Sequence, residues 1–414
     1  MNELTVELYG NKIGCLIPYA QKFDFKTDLD VFEHYSLFSH VLSLSVPLTP
    51  AYASAHRTRR WNFFAEILPE GRNLSWLAQM ARVGMDEVYE LLKRFGKDIA
   101  GALTIYDPNE ETAFHSPSVE KLDAMAVRSL LQNTAAEPLA NSPLSGKTSL
   151  GGVQPKIVLA RINRSWHRVH NGYPSTHILK PIMPEYPSLV FDEAFCMDIA
   201  RVAGLTSHPV WIEDFSGVTA LVIERYDRDE AVPERRIHQE DFNQALGARG
   251  DEKYQEHGGK VSYKRIAEML GRFGSEDDVT GLAAQMIFAV CIGNLDMHAK
   301  NISISHYPDE TISIAPAYDC VPLRHQGTDG RMALSIGGEY LHANLSKELI
   351  VSEILSWKNA AFPDKTVADG FVNEWLERIG VAAENVDEIF GMYPDLRPDI
   401  NRFMDCLLKG KRIG

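Results

Sequence analysis

The sequence predicts an α+β fold with two lobes, a β-rich one and an all-α C-terminal one, preceded by a small β-containing N-terminal subdomain. Three observations predict it. Apolar β-like runs crowd residues 150–226. Helical periodicity dominates from 240 onward, apart from isolated β-like runs near 302–305 and 311–314. Turn formers concentrate in DPNEETAFHSPS at 107–118 and, more weakly, across 133–149, where a boundary fits. The expected divisions are 1–115, 116–226 and a mainly helical 227–414.

The elements follow in order. LTVELY at 4–9 alternates apolar and polar residues and precedes GNKIGCLI, which predicts a hairpin turning at Gly10-Asn11. DEVYELLKRF at 86–95 places Val88, Leu91, Leu92 and Phe95 on one helical face, with Asp86 as the expected cap and Gly96 as the stop. IVLARI (157–162), RVH (168–170) and THILK (176–180) are expected strands, and Asn171-Gly172 predicts a hairpin between the last two. A helix over 188–203 would bury Phe191, Phe195, Ile199 and Val202. WIEDF (211–215) and TALVIERYD (219–227) give further strands. Helices are expected at 240–246, 262–272 and 278–292, and through the C-terminal region.

Composition narrows the function. The net charge is −14 over 414 residues, so the chain lacks the basic surface that general nucleic-acid binding requires. A local basic cluster, His56, Arg57, Arg59 and Arg60, is the exception; it suits a solvated loop, or a face for DNA phosphates or an acidic partner. Five dispersed cysteines without a C-x-x-C pair suit a reducing compartment and no zinc site. Neither a signal peptide nor a membrane-spanning apolar run is visible, which predicts a cytoplasmic protein.

Five segments together supply the parts of phosphoryl transfer, in the order in which kinases carry them. SLGGVQPK (149–156) contains Gly151 and Gly152, which let main-chain amides approach a phosphate; alone, a Gly-Gly is simply a turn. Lys180, 28 residues after Gly152, ends an apolar strand and could reach an α/β-phosphate, although a strand-end surface lysine looks the same. Glu193 could orient it or face solvent. Glu224 and Tyr226 of VIERYD could bind adenine through main-chain atoms. In CIGNLDMHAKN (291–301), Asp296 and Asn301 have the D-x-x-x-x-N spacing of a kinase catalytic loop, but Asn294-Leu295 stand where H-R is usual. Asp296 would take or orient the acceptor's proton, and Asn301 would offer oxygen to Mg²⁺. His298 lies where it could touch phosphates or serve the loop's structure. Asp319 of APAYDC, 18 residues after Asn301, holds the place of the metal-binding D-F-G aspartate, without the glycine.

These segments, with GNKIGCL, FFAEILPEGR (63–72), QALG…KYQEHGG (244–259) and MALSIGG (332–338), resemble the HipA family of serine/threonine-kinase toxins of bacterial toxin–antitoxin modules. The likeness spans nearly the whole chain, and the family's G-N-x-D-x-H-A-K-N setting accounts for the absent H-R. It implies a kinase-like fold that uses ATP and Mg²⁺. Asp296 would be catalytic and Asn301 and Asp319 the metal ligands. Gly151, Gly152, Val153, Gln154, Lys156, Lys180, Glu224, Arg225, Tyr226, His298, Asn301, Tyr318 and Asp319 would surround the nucleotide. Pro155 stands where relatives often carry a charged residue, so a side-chain role there is in doubt. Ser149 matches a serine that relatives autophosphorylate to inactivate themselves. The implied partners are a separate HipB-like DNA-binding antitoxin, through which alone DNA would be met, and a protein substrate such as an aminoacyl-tRNA synthetase. A small-molecule kinase on the same scaffold, or a non-catalytic co-repressor, are the alternatives.

Overall fold

The computed structural model describes residues 3–20, 22–110, 116–142 and 145–414. The chain forms two compact units, each assembled from separated stretches. Met1–Pro181, Glu213–Glu240 and Ser305–Thr311 make the first; Ile182–Ile212, Asp241–Ile304 and Ile312–Gly414 make the second.

In the first unit, β1 (Leu4–Leu8) and β2 (Asn11–Tyr19) pair as the expected hairpin. Its turn is Tyr9-Gly10, not Gly10-Asn11: Tyr9 and Gly10 take the left-handed backbone (φ 54° and 75°), and Asn11 pairs with Leu8 to open β2. A third strand, unforeseen from the pattern, is β3 (Lys22–Thr27); β4 (Leu103–Tyr106) completes an antiparallel sheet ordered β3-β2-β1-β4. Leu4, Val6 and Leu8 alternate into its core, with Phe23, Phe25, Phe63 and Phe64 packed ring against ring.

The helix expected at 86–95 runs Val88–Phe95 and buries the four predicted residues. Asp86 does not cap it. Glu87 holds the cap position, and its carboxylate accepts from the Gly84 amide instead. Gly96 ends the helix, where a Cβ would lie 2.5 Å from the Leu92 carbonyl oxygen. The basic cluster is divided: His56 and Arg59 are exposed, while Arg57 and Arg60 are committed to an ion pair. Arg57 and Arg60 sit on the helix Arg57–Ala65, both bind Asp24 (2.8 and 2.7 Å), and Arg60 is buried.

The second sheet holds β5 (Ser118–Leu122), β6 (Ile157–Ile162), β7 (Ser165–His170), β8 (His177–Pro181), β9 (Val210–Asp214) and β10 (Thr219–Glu224), in the order β5-β7-β6-β8-β10-β9. β9 carries the chain back into this unit at Glu213. The hairpin predicted at Asn171-Gly172 is not one, because β8 pairs with β6 and β6 lies between β7 and β8. The tight hairpin joins β6 to β7 through Asn163-Arg164, both left-handed (φ 49° and 64°). Of the two turn-rich stretches, 111–115 and 143–144 lie outside the described residues.

Ser305–Thr311 returns to the first unit and completes a buried polar cluster. The Tyr9 hydroxyl donates to the His306 carbonyl, and His306 Nε2 meets Glu240 Oε1 at 3.1 Å. Glu240 also accepts from Ser43 Oγ (2.8 Å) and the Leu44 amide (2.6 Å). Burial, and secondarily His306, pushes the neighbouring His238 down to about 3, so it is neutral at ordinary pH.

The second unit is mainly helical. Leu189–Ala203 buries Phe195 and Ile199 as expected, but Val202 points outward, 44% exposed. Tyr263–Phe273, Glu276–Ile292, Lys347–Ser356, Lys365–Asn385 and Leu396–Leu408 follow. Glu276–Ile292 is apolar nearly all round, as a central helix must be. Its capping box pairs Ser275 with Asp278, whose other oxygen accepts from the Ile314 amide (2.7 Å). A two-stranded ribbon, Arg331–Ile336 and Glu339–Leu341, was not anticipated from the helical pattern.

Candidate active site

In the second unit the candidate catalytic loop begins where the helix Glu276–Ile292 ends. Gly293 is its left-handed C-cap (φ 67°), donating to the Ala289 and Val290 carbonyls. A Cβ on Gly293 would come within 2.8 Å of Arg324 Cβ, because its carbonyl accepts from the Leu323 and Arg324 amides. That pairing ties the segment after Asp319 to the start of the loop.

Asn294, standing where H-R is usual, joins the two aspartates. Its Oδ1 accepts from the Asp296 amide (3.1 Å) and its Nδ2 donates to the Asp319 carbonyl (3.3 Å). Asp296 is part-exposed, its carboxylate accepting from the Tyr254 hydroxyl (3.1 Å), while His298 Nε2 lies 3.9 Å away. Tyr254 also meets the His298 ring edge to face, centroids 5.4 Å apart. Asn301 Nδ2 donates to the Asp296 carbonyl (2.9 Å). The Tyr318 hydroxyl donates to the Lys300 carbonyl (2.7 Å) and meets Ser303 Oγ at 2.6 Å, so it braces the loop. The backbone at Asp319 is left-handed (φ 52°), an uncommon place for a non-glycine. The ribbon supports the loop from behind: the Ala333 amide donates to Leu295, and Ala333 accepts from the Gln255 amide.

In the first unit, Gly151–Lys156 forms an open turn. Gly152 is left-handed (φ 94°), and a Cβ there would sit 2.4 Å from Lys156 Nζ, so glycine is required. Lys156 Nζ donates to the Gly151 carbonyl at 2.6 Å. Asn73 Nδ2 holds the Gly152 and Gln154 carbonyls at 2.9 and 3.1 Å, and Val153 is half exposed. Ser149 is fully buried, its amide bonded to the Asp98 carbonyl (2.9 Å), its Oγ without a hydrogen-bond partner among the described residues. Lys180 is not the surface lysine its strand-end position allowed, and Glu193, in the second unit, does not face solvent: they are 5% and 1% exposed. β10 ends at Glu224, which pairs with His177. Arg225 gives its amide to the Thr176 carbonyl (3.0 Å) and turns its side chain inward, onto Asp227.

Several residues of these arrangements carried no role in the sequence reading: Asn73, Tyr254, Gln255 and Asn294. Tyr254 and Gln255 lie in KYQEHGG, and Asn73 directly follows FFAEILPEGR (63–72) without belonging to it. Among the described residues, no group of three His, Cys, Asp or Glu side chains could hold a metal alone. That suits Mg²⁺, which commonly takes one or two protein oxygens and completes its shell with substrate phosphates and water.

Residues 4–106 match the HipA N-terminal domain and residues 148–386 the HipA-like C-terminal domain. The candidate kinase Y4mE of Sinorhizobium fredii is 34% identical over 305 residues, covering 72% of each chain. The serine/threonine-protein kinase toxin HipA of Shewanella oneidensis is 26% identical over 296 residues, 67% of this chain and 66% of that one. A solved Shewanella oneidensis HipA, in complex with HipB and operator DNA, shares the fold with a TM-score of 0.79 at 22% identity, covering 98% of this chain and 96% of that chain. No helix among the described residues is long and apolar enough to cross a membrane.

Proposed function

The chain belongs to the HipA family, and from that premise we propose that it is an ATP- and Mg²⁺-dependent serine/threonine protein kinase, the toxin of a toxin–antitoxin pair. One observation carries the reading: Asn294 fixes Asp296 and Asp319 to each other while Tyr254 aims the Asp296 carboxylate. Asp296 would accept the proton of a serine or threonine hydroxyl as that oxygen bonds to the γ-phosphorus and ADP departs. Asn301 and Asp319 would hold Mg²⁺, which when bound neutralises phosphate charge. Main-chain amides of 151–154, with Lys156 and Lys180, would receive the phosphates, and Glu224–Tyr226 the adenine. The expected acceptor is a translation-related protein such as an aminoacyl-tRNA synthetase, and the expected partner a HipB-like antitoxin that makes the DNA contacts.

The test is transfer of radiolabel from ATP into proteins of a cell lysate, with a phosphoproteome to name the acceptor. Label confined to metabolites would instead make the chain a small-molecule kinase, and no label at all would favour a co-repressor.

The metal role has its own test. Asp319→Asn keeps a residue that tolerates the left-handed backbone but removes the charge. Calorimetric titration should then show Mg·ATP binding weakened about tenfold or more, the scale of a lost charged metal contact. Equal affinities would leave Asp319 a purely structural residue.

Self-inactivation at Ser149 is also expected. A phosphate adds about −1.5 to −2 charges, which the fully buried site of Ser149 cannot accommodate. The modified loop should therefore stay out of place and ATP binding should fall. Mass spectrometry after incubation with Mg·ATP should find phosphate on Ser149 in the wild type but not in Asp296→Asn. Phosphate only on Ser145 or Thr148 would contradict this.

A further inference from the structure

One buried charge of the first unit is a carboxylate in the N-terminal segment, Asp98. It is fully buried, and the guanidinium groups of Arg228, Arg236 and Arg225 lie 3.1, 3.9 and 4.0 Å from its Oδ1. Its main chain forms a parallel bridge with Thr148: the Asp98 amide donates to the Lys147 carbonyl (3.1 Å), and the Ser149 amide donates to the Asp98 carbonyl (2.9 Å). Its Oδ2 accepts from Thr148 Oγ1 at 3.2 Å. The Asn141 amide clasps the other edge of Thr148, accepting from its N–H (2.9 Å) and donating to its carbonyl (2.8 Å).

On the opposite side the same segment is gripped from the end of β10. Arg225 Nη2 and Arg228 Nη2 both donate to the Ile99 carbonyl (3.0 and 3.1 Å), and Arg225 Nη1 donates to Ser175 Oγ (2.8 Å). One short segment thus joins the base of the glycine-containing loop to the residues that follow β10. These are the pieces proposed above to meet the phosphates and the adenine.

We propose that Asp98 is a positioning residue for the nucleotide, fixing the base of the phosphate loop relative to the 224–226 segment before ATP arrives; this rests on the nucleotide reading of both. Beyond its base the loop is held by Asn73 through the Gly152 and Gln154 carbonyls, and at its base the Asp98–Thr148 link sets how often the empty loop is in place. When only a fraction of molecules is competent, apparent affinity falls by that fraction. ATP can draw the loop back, so saturating ATP restores the rate.

Asp98→Asn strands buried guanidinium groups and risks unfolding, so the test uses Thr148→Val, which removes only the hydroxyl. The expected result is a KM for ATP raised about tenfold, the consequence of a tenfold fall in the docked population. The kcat should stay within about twofold, as should the affinity for adenosine, which has no phosphates. Without nucleotide, trypsin should cut the 147–156 region faster, and ATP should suppress the cut. Thr148→Ser should return both readouts to wild type. A lower kcat with unchanged KM would mean that Thr148 only stabilises the fold, and would overturn the proposal. So would unchanged KM and unchanged proteolysis. A wild-type chain that binds no ATP would overturn the site reading itself, and the positioning role with it, whatever the protease shows.

Discussion

Asp296→Asn is expected to reduce phosphoryl transfer ~10²–10⁴-fold, the usual cost of losing a general base. The fold should survive. The Asp296 side chain is part-exposed, and its hydrogen bond from Tyr254 can be kept by the asparagine amide oxygen. The structural ties of the residue are main-chain ones: its amide to Asn294 and its carbonyl to Asn301. Nucleotide affinity should change little, because Asn301 and Asp319 are untouched. The measurement is single-turnover transfer from Mg·ATP, with circular dichroism and nucleotide titration on the same preparations. A variant that transfers phosphate at near the wild-type rate would remove Asp296 from the chemistry.

Asp227→Asn should have the largest effect on stability. Asp227 accepts from Arg225 Nε and Nη2 (2.9 and 2.8 Å), from Arg228 Nη1 (3.0 Å) and from the Gly101 amide (2.7 Å), and both Asp227 and Arg225 are buried. Removing one partner from a buried ionic cluster costs about 3–5 kcal/mol, because the remaining charge is left without compensation. Burial alone would raise this carboxyl, but Arg225 and then Arg228 outweigh it and hold it well below the usual carboxylate range. Burial brings Arg228 down to about 10, which still leaves it charged at neutral pH. The stability from Asp227 is therefore fully present above the unfolded carboxyl pKa of about 3.9 and is lost as pH falls below it. Wild type should lose stability steeply in that acid range and Asp227→Asn should lose less. Hydrogen exchange at Gly101, whose amide donates to Asp227, reads the cluster directly. Equal exchange and equal acid sensitivity in the two proteins would show that the cluster contributes nothing.

The sequence was informative where structure is local. The alternation of LTVELY and the spacing of Val88, Leu91, Leu92 and Phe95 gave real elements, because pleat and helix impose those periods on neighbouring residues. Turn assignment was less secure. Asn171-Gly172 takes the left-handed backbone that its residue types favour (φ 55° and 88°), yet it closes no hairpin, since strand order is a long-range property. The Asp98 cluster was invisible for the same reason. Asp98 and Arg228 are 130 residues apart in sequence, and nothing in GKDIAG or ERYDR distinguishes a buried ion pair from a solvated one. In the candidate site, the structure places Asp296 and Asn301 on one short loop, joined by the bond from Asn301 Nδ2 to the Asp296 carbonyl, whereas Asp319 follows two strands later. Tyr254, which meets the Asp296 carboxylate, and Asn73, which holds the Gly152 and Gln154 carbonyls, come from distant segments with no spacing rule to expose them.

The return of Ser305–Thr311 to the first unit bears on how the chain is made. Synthesis proceeds from the N-terminus, so Tyr9 and Glu240 exist long before His306, which completes their hydrogen bonding. At ~5–20 residues per second, the stretch from Glu240 to His306 takes on the order of 3–13 s to emerge. During that interval Glu240 must either remain hydrated or be buried without its imidazole partner, which is unfavourable for any polar group. The first unit can therefore reach its final form only after much of the second has been translated, and the two fold as interleaved halves. A ribosome-bound chain stopped after residue 300 should remain protease-sensitive in its N-terminal sheet, whereas one long enough to expose residue 311 should not.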